Sequence, residues 1–360
     1  MESVQNDEVR NLVLRLKNSA ASAIIVGSAC SLYSITPVHR LALSTLYGPP
    51  SIAFTGYDFL RAAAVIYSVV LAIYFITQPD PGVSKSLRFI RMLTRWAWSP
   101  VESYRRGLAP EDRLAVLSTL LKSFFGPLMA VLLMRLCMGA WDNGLHIVEI
   151  GTSVSLRALF DTYGFWFLFQ AILFVDVFLF TAGYLVESPR LGNEIRSVDP
   201  TLVGWAAALA CYPPFNSLSA IVIGSQASEF PQFDDPMLHV GLNVLILVLM
   251  AGFASASVAL GLKASNLTHR GIVARGPYAI VRHPAYTCKN IAWWIGSIPA
   301  VSLAFDLSLF DGIKSMASVV GVTMLYVLRA LTEEDHLRGV DGAYADYAAK
   351  VRYRFIPGLL

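Results

Sequence analysis

The sequence predicts an all-α, polytopic integral membrane protein with about eight transmembrane helices and both termini in the cytoplasm. Three observations carry that expectation. Of the 360 residues, 55% are hydrophobic and only 15% charged, against about 25% charged in ordinary soluble domains. Apolar stretches of the roughly twenty residues needed to cross a bilayer recur along the chain. The Lys and Arg residues gather in two of the loops between them, as cytoplasmic loops do under the positive-inside rule.

The apolar windows fall at about 18–36, 57–77, 115–140, 164–186, 201–224, 237–262, 290–305 and 313–331. The first follows a start in which Asp7 and Glu8 precede Arg10, Arg15 and Lys17. That is too acidic for a typical signal peptide, so the segment reads as a retained span. The third window holds Lys122, Arg135 and Gly126-Pro127, an invitation to kink. The fifth carries Cys211-Tyr212-Pro213-Pro214-Phe215-Asn216, whose double proline breaks a regular helix, and the seventh is short. Loop 79–113 contains Lys85, Arg88, Arg91, Arg95, Arg105, Arg106 and Arg113, and loop 263–289 contains Lys263, Arg270, Arg275, Arg282 and Lys289. Loop 225–236 has Glu229, Asp234 and Asp235 with no Lys or Arg, and Asp306 and Asp311 lie between the last two windows. Eight spans put both basic loops on one side; seven or nine would move one of them across.

Within the first basic loop, Arg88, Arg91 and Arg95 stand three and four residues apart in segment 84–98. That spacing fits an amphipathic interfacial helix with Trp96 and Trp98 at headgroup depth; an ordinary basic loop is the alternative. Cys30, Cys137, Cys211 and Cys288 show no metal-type spacing and read as reduced, buried thiols. The net charge of +3 is explained by topology and gives no reason to expect nucleic acid as a partner. No internal repeat supports an inverted-repeat transporter.

The chemistry concentrates near the C-terminus. From Lys263 to Tyr286 the chain carries Gly271, Gly276-Pro277-Tyr278 and Arg282-His283-Pro284-Ala285-Tyr286, turn residues that prevent a continuous helix and free backbone groups to meet a polar ligand. Arg329 and the pair Glu333-Glu334 follow at the end of the last window. Arg329 and Glu333 share a helix face by their spacing of four; alone they could be a surface ion pair. Ionisable groups at the edge of a membrane are costly and read first as a functional site. The stretch Glu187–Pro200 has mixed charges and reads as a solvated connector, with a mouth for substrate as the alternative.

Gly276-Pro277-Tyr278, the Arg282–Tyr286 run, Glu333-Glu334 with Leu337, Tyr344 and Tyr347, and Arg354-Phe355-Ile356-Pro357 together resemble the C-terminal core of the isoprenylcysteine carboxyl methyltransferase and phospholipid methyltransferase superfamily. The resemblance covers about the last hundred residues. It implies a membrane enzyme that uses S-adenosylmethionine to methylate a lipid or lipophilic small-molecule acceptor, a carboxylate first among the candidates, at the cytoplasmic face. Position by position it implies cofactor contacts from Ile272, Val273, Gly276, Tyr278, His283, Pro284, Tyr286, Glu333 and Glu334, with Lys263 matched by offset alone. Arg329 falls where the acceptor group is faced, and His283 is the histidine nearest the chemistry. Cys288 stands where the family commonly has Gly, and a family Gly appears one position late, as Gly342 after Asp341. Residues 1–200 match nothing in the pattern and are expected to form separate N-terminal membrane helices, with residues 201–360 as the methyltransferase-like core. Two other readings remain open. One is an NADPH-dependent reductase of the sterol-reductase type, which shares an Arg-His-Pro-x-Tyr run, and the other is a non-catalytic membrane protein that retains the core.

Overall fold

The computed structural model describes residues 2–79, 81–217 and 227–359. The chain is 78% helical with almost no sheet. In order, the helices are α1 (Glu2–Ile35), α2 (Arg40–Ser44), α3 (Gly56–Thr77), α4 (Lys85–Trp98), α5 (Pro100–Arg106), α6 (Pro110–Ile150), α7 (Leu156–Leu159), α8 (Phe165–Leu185), α9 (Leu202–Leu209), α10 (Pro236–Leu260), α11 (Pro284–Leu307), α12 (Leu309–Val340) and α13 (Ala343–Lys350). Two antiparallel ladders accompany them: β1 (Leu46–Tyr47) with β2 (Phe54–Thr55), and β3 (Ser197–Val198) with β4 (Thr268–His269).

Among the described residues, six helical stretches are long and apolar enough to cross a membrane: Asp7–Ile35, Gly56–Thr77, Pro110–Ile150, Leu156–Leu185, Pro236–Lys263 and Leu309–Val340. They answer six of the eight expected windows. In the fifth window, α9 stops at Leu209 and the Cys211–Pro214 stretch forms turns with a cis Pro213–Pro214 bond; residues 218–224 of that window lie outside the described residues. The seventh window is not short, since α11 is 24 residues long. Lys289, Asn290, Trp293, Trp294 and Pro299 dilute its hydropathy instead. Gly126-Pro127 does not interrupt the third window. α6 runs unbroken for 41 residues through Pro127 and, at about 1.5 Å per residue, outreaches the roughly 30 Å hydrocarbon core.

The chain divides into two compact units, Met1–Val131 and Leu132–Leu360. In the first, α1 packs along α3 and α4. Asn18, 1% exposed, donates to the Gly82 carbonyl at 2.8 Å and accepts from the Ser84 amide at 3.0 Å, which fixes the chain just before α4. Segment 84–98 is the helix expected of it, with Leu87 and Met92 buried. Arg88 meets Glu111 at 2.8 Å and Arg95 meets Asp112 at 3.2 Å. Those carboxylates occupy the first turn of α6, where negative charge also suits the helix dipole. On α3, Val65, Ile66, Val69, Val70 and Ile73 all face outward, an apolar surface that a bilayer would cover.

The second unit holds every candidate site residue. α8 packs on α10, α10 on α11, α11 on α12, and α9 on α12. Phe165 and Phe169 of α8 interlock with Ile246, Leu247 and Met250 of α10 and Ala292 and Ile295 of α11. Cys288, expected as Gly from the resemblance, has a steric answer here. A β-carbon on Gly252 of α10 would stand 2.9 Å from Cys288 Sγ, so the small residue needed for close packing sits on the neighbouring helix. The four cysteines are free, as expected, but they are not all buried: Cys137 is exposed and the other three are half-buried.

Gly252→Val is therefore expected to destabilise the fold by about 1–3 kcal/mol through overpacking, read as a lower melting temperature in detergent. Cys288→Gly in the same chain is expected to restore most of it; no recovery would show that this contact does not limit the packing.

Candidate functional site

The centre of the site is a carboxylate. Glu334, on the last turns of α12, is fully buried. Its Oε1 accepts from Arg282 Nε at 2.8 Å and lies 3.2 Å from His283 Nε2, its Oε2 accepts from Arg338 at 2.7 Å, and Arg354 Nε reaches both oxygens at 3.2 Å. Arg282 also donates to the carbonyls of Val351 and Arg352 at 2.8 and 2.7 Å. The tail then closes over the motif: the Arg282 and His283 amides donate to the Tyr353 and Arg354 carbonyls, and Thr287 Oγ1 to that of Phe355. One carboxylate thus joins α12, the entrance to α11 and the C-terminal segment. With its lone pairs taken, Glu334 has no free acceptor for a ligand.

Glu333 is different. One residue along a helix is a rotation of about 100°, and its side chain is 47% exposed. Its Oε2 accepts from the Tyr286 hydroxyl at 3.0 Å, and His283 Nδ1 stands 4.0 Å away. The rings of His283 and Tyr286 stack at 5.4 Å and 7°. His283, held by Glu334 on one edge and Tyr286 on its face, is a positioned residue. Pro284 follows it at the first turn of α11, where its missing donor costs nothing.

Arg329 lies one turn before Glu333 on α12, yet the two do not pair. Its guanidinium donates to Asn266 Oδ1 at 2.8 Å. It lies 5.1 Å from the Tyr286 ring, 5.3 Å from Tyr326 and 6.0 Å from Tyr212. Arg329 is 8% exposed, and among the described residues no carboxylate comes within salt-bridge distance of it. Asn266 is itself anchored: its amide and side chain both donate to the Tyr184 hydroxyl, at 2.8 and 2.9 Å, and its side chain to Tyr212 at 3.2 Å.

The irregular segment expected between 263 and 286 is present. Gly276 has φ +60° and a β-carbon there would meet Ala259 at 3.3 Å, so both the turn and its approach to α10 require glycine. Tyr278 is fixed by the Tyr347 hydroxyl, which donates to its carbonyl at 2.9 Å. Burial, with the Glu333 charge second, raises the Tyr278 hydroxyl above its ordinary range, and burial pushes Tyr347 up to about 12. Ile272 packs with Tyr344, Tyr347 and Val351, so part of its surface serves the core; Val273 beside it is half-buried. Lys263 Nζ and an Arg196 nitrogen stand 3.2 and 3.5 Å from where a β-carbon on Gly271 would be, so two cations converge on that turn.

Arg196 belongs to the stretch Glu187–Pro200, whose Arg190, Glu194 and Arg196 are exposed as in a solvated connector but whose backbone is held in place. β3 pairs with β4, the Arg196 and Asp199 amides donate to the carbonyls of His269 and Leu267 at 2.9 and 2.8 Å, and Arg270 donates to the Asn193 carbonyl at 2.7 Å. Asn193 is fully buried, donating to the Val186 carbonyl and accepting from the Ser188 amide. Ser197 Oγ lies 3.1 Å from His336 Nε2, one turn past Glu333. Asp341, the other departure from the family pattern, also has work: Oδ2 lies 2.9 Å from His269 Nε2 and Oδ1 accepts from the Ala343 amide at the start of α13. Burial lowers the His269 imidazole, with Asp341 opposing the shift.

Sequence reasoning did not single out Asn266, Tyr326, Arg196 or Lys289 as site residues. An asparagine or arginine in a loop carries no distinguishing signal; Tyr326 could have been found from its place one turn before Arg329. Comparison with protein-family models, curated proteins and solved structures finds no match to this chain.

Removing one partner of a buried charge network costs about 3–5 kcal/mol. Glu334→Ala is therefore expected to abolish or sharply lower the thermal unfolding transition of the purified protein, while Glu333→Ala leaves it within a few degrees. Equal losses for the two would mean that the neighbouring carboxylates are not divided between structure and ligand.

Proposed function

We propose that this is an integral membrane S-adenosylmethionine-dependent methyltransferase acting on a lipophilic acceptor whose reacting group is an anion, a carboxylate before others. The observation that carries the reading is the pairing of a buried Arg329 that has no carboxylate partner among the described residues with an accessible Glu333 one turn away. Taking a guanidinium out of water costs several kcal/mol. Asn266 and three ring faces offset part of that, and an anionic acceptor would offset the rest. Arginine's planar fork suits a carboxylate better than lysine would.

When bound, S-adenosylmethionine would supply an electrophilic methyl on its sulfonium, which an acceptor carboxylate would take to give a methyl ester and S-adenosylhomocysteine. The residues present fit such a group. Glu333 can accept the ammonium of its amino-acid moiety, Lys263 and Arg196 can take the carboxylate, and the Tyr286 and Tyr278 rings tolerate positive charge. Glu334, spent on its own arginines, holds the frame. Arg329 orients the acceptor and the apolar helices exclude water, which is where most of the rate of a displacement comes from. A carboxylate acceptor needs no general base, so His283 serves by position. The basic run of Lys263, Arg270 and Arg275 beside the site supports a cytoplasmic placement of this face.

The convergence of Lys263 and Arg196 at Gly271 also suits a phosphate, and so favours NADPH as the second reading. Calorimetric titration of the detergent-purified protein separates the two. S-adenosylmethionine and S-adenosylhomocysteine are expected to bind and NADPH not to; binding of NADPH alone overturns the proposal. Glu333→Ala is expected to weaken S-adenosylmethionine at least tenfold, or about 1.4 kcal/mol, whereas Arg329→Ala leaves that affinity and removes turnover. The reverse pattern would exchange their roles.

A further inference from the structure

α11 and α12 are antiparallel neighbours, and their site-facing residues form levels. His283 and Glu333 mark the first, with Tyr286 bonded back to Glu333. Arg329 against Tyr286 is the next. One turn further from the chain's C-terminal segment come Lys289 of α11 and Tyr326 of α12, 5.8 Å from nitrogen to ring centroid. Trp293 beyond them packs on Tyr326 at 5.1 Å, and Trp294 donates to Thr323 at 3.0 Å.

Lys289 is therefore not a loop residue, as its place in the second basic stretch suggested. Its Nζ lies among three rings, Trp293 at 5.1 Å, Phe253 at 5.4 Å and Tyr326. Among the described residues its ammonium has neither a hydrogen-bond acceptor nor a carboxylate within salt-bridge distance. Asp176 and Glu229 feel its charge from further off, and Asp176 is already engaged by the Ser257 hydroxyl. The Tyr326 ring touches both Lys289 and Arg329, so the two cations are no further apart than 5.8 and 5.3 Å laid end to end. Two cations that share an aromatic ring repel one another, and ring faces repay only about 0.5–2 kcal/mol each. One anion at Arg329 leaves the second charge without a direct partner among the described residues.

We propose that Lys289 is a second anion anchor of the acceptor site, and that the ligand is an amphiphile with two anionic groups close enough together to reach both cations across the Tyr326 ring. The inference deepens the function proposed above and rests on it for which anion is methylated, but the binding of a dianionic amphiphile stands on the two cations alone. Arg329 takes the reacting group; Lys289, deeper between the apolar helices, takes the other and selects against ligands that lack it. An amphiphile with a single anion would bury Lys289 without a partner, the kind of unpaired polar group by which sites reject analogues.

The test compares 2-tetradecylglutarate, with two carboxylates, and palmitate, with one, by calorimetry on the full chain in neutral-lipid nanodiscs, followed by methyl transfer from labelled S-adenosylmethionine. The dicarboxylate is expected to bind at least tenfold more tightly than palmitate. Lys289→Met should remove that preference while leaving palmitate affinity within twofold, Lys289→Arg should retain most of it, and the melting temperature of each variant confirms folding. Equal affinities in the unaltered protein, binding of neither ligand, or a preference that survives Lys289→Met would overturn the proposal. A preference that depends on Lys289 without methyl transfer to either ligand would uphold this anchor and sink the methyltransferase reading; transfer that ignores Lys289 would do the opposite.

Discussion

The buried carboxylate of Glu334 is the interaction on which the rest of the site depends. Three arginines and a histidine converge on it from three parts of the chain: Arg282 and His283 from the entrance to α11, Arg338 from the end of α12 and Arg354 from the C-terminal tail. A carboxylate in low dielectric is tolerable only when its lone pairs are fully engaged, so burial of this residue demands that all of those segments be in place together. The clamp orients the Arg282–Tyr286 run, stacks His283 on Tyr286, and thereby turns the Tyr286 hydroxyl toward Glu333. Adjacent glutamates on a helix point about 100° apart, and the fold uses that rotation to separate a structural carboxylate from an accessible one.

A second organising group is Asn266. Tyr184 of α8 and Tyr212 beyond α9 fix its donors, and its remaining oxygen holds Arg329. The guanidinium is thereby drawn off the Glu333 face and into the aromatic wall of Tyr286, Tyr326 and Tyr212. An Arg329–Glu333 pair on a helix surface would be worth only a few tenths of a kcal/mol. Keeping them apart leaves a fixed positive group and a fixed negative group side by side, a polarity suited to a zwitterionic, cationic cofactor next to an anionic acceptor.

Much of this was legible in the sequence, and what was not has identifiable causes. Composition and window length marked six apolar helices correctly. Hydropathy alone averages over the break after Leu209, which the double proline of the fifth window had marked. Arg282, His283, Tyr286 and the two glutamates, read as one cluster, do lie together, but Glu333 and Glu334 read alike until the helix phase is known. Glu187–Pro200 looked solvated because its charges are mixed; its order comes instead from backbone pairing with 267–269 and from the buried side chain of Asn193, neither of which has a periodic signal. Lys289 was counted with a basic loop because the apolar window opens only at 290, whereas α11 begins at Pro284. The Cys288 departure was legible as an anomaly, while its compensation at Gly252 lies on another helix and only packing reveals it.

The most direct test of the central claim is an experimental structure of the full chain with S-adenosylhomocysteine. The ligand is expected between the 271–286 segment and the end of α12, with its amino group on the Glu333 carboxylate, Glu334 still enclosed by its arginines, and Arg329 facing the sulfur side. A ligand amine on Glu334, or S-adenosylhomocysteine seated away from Glu333 and Tyr286, would contradict it.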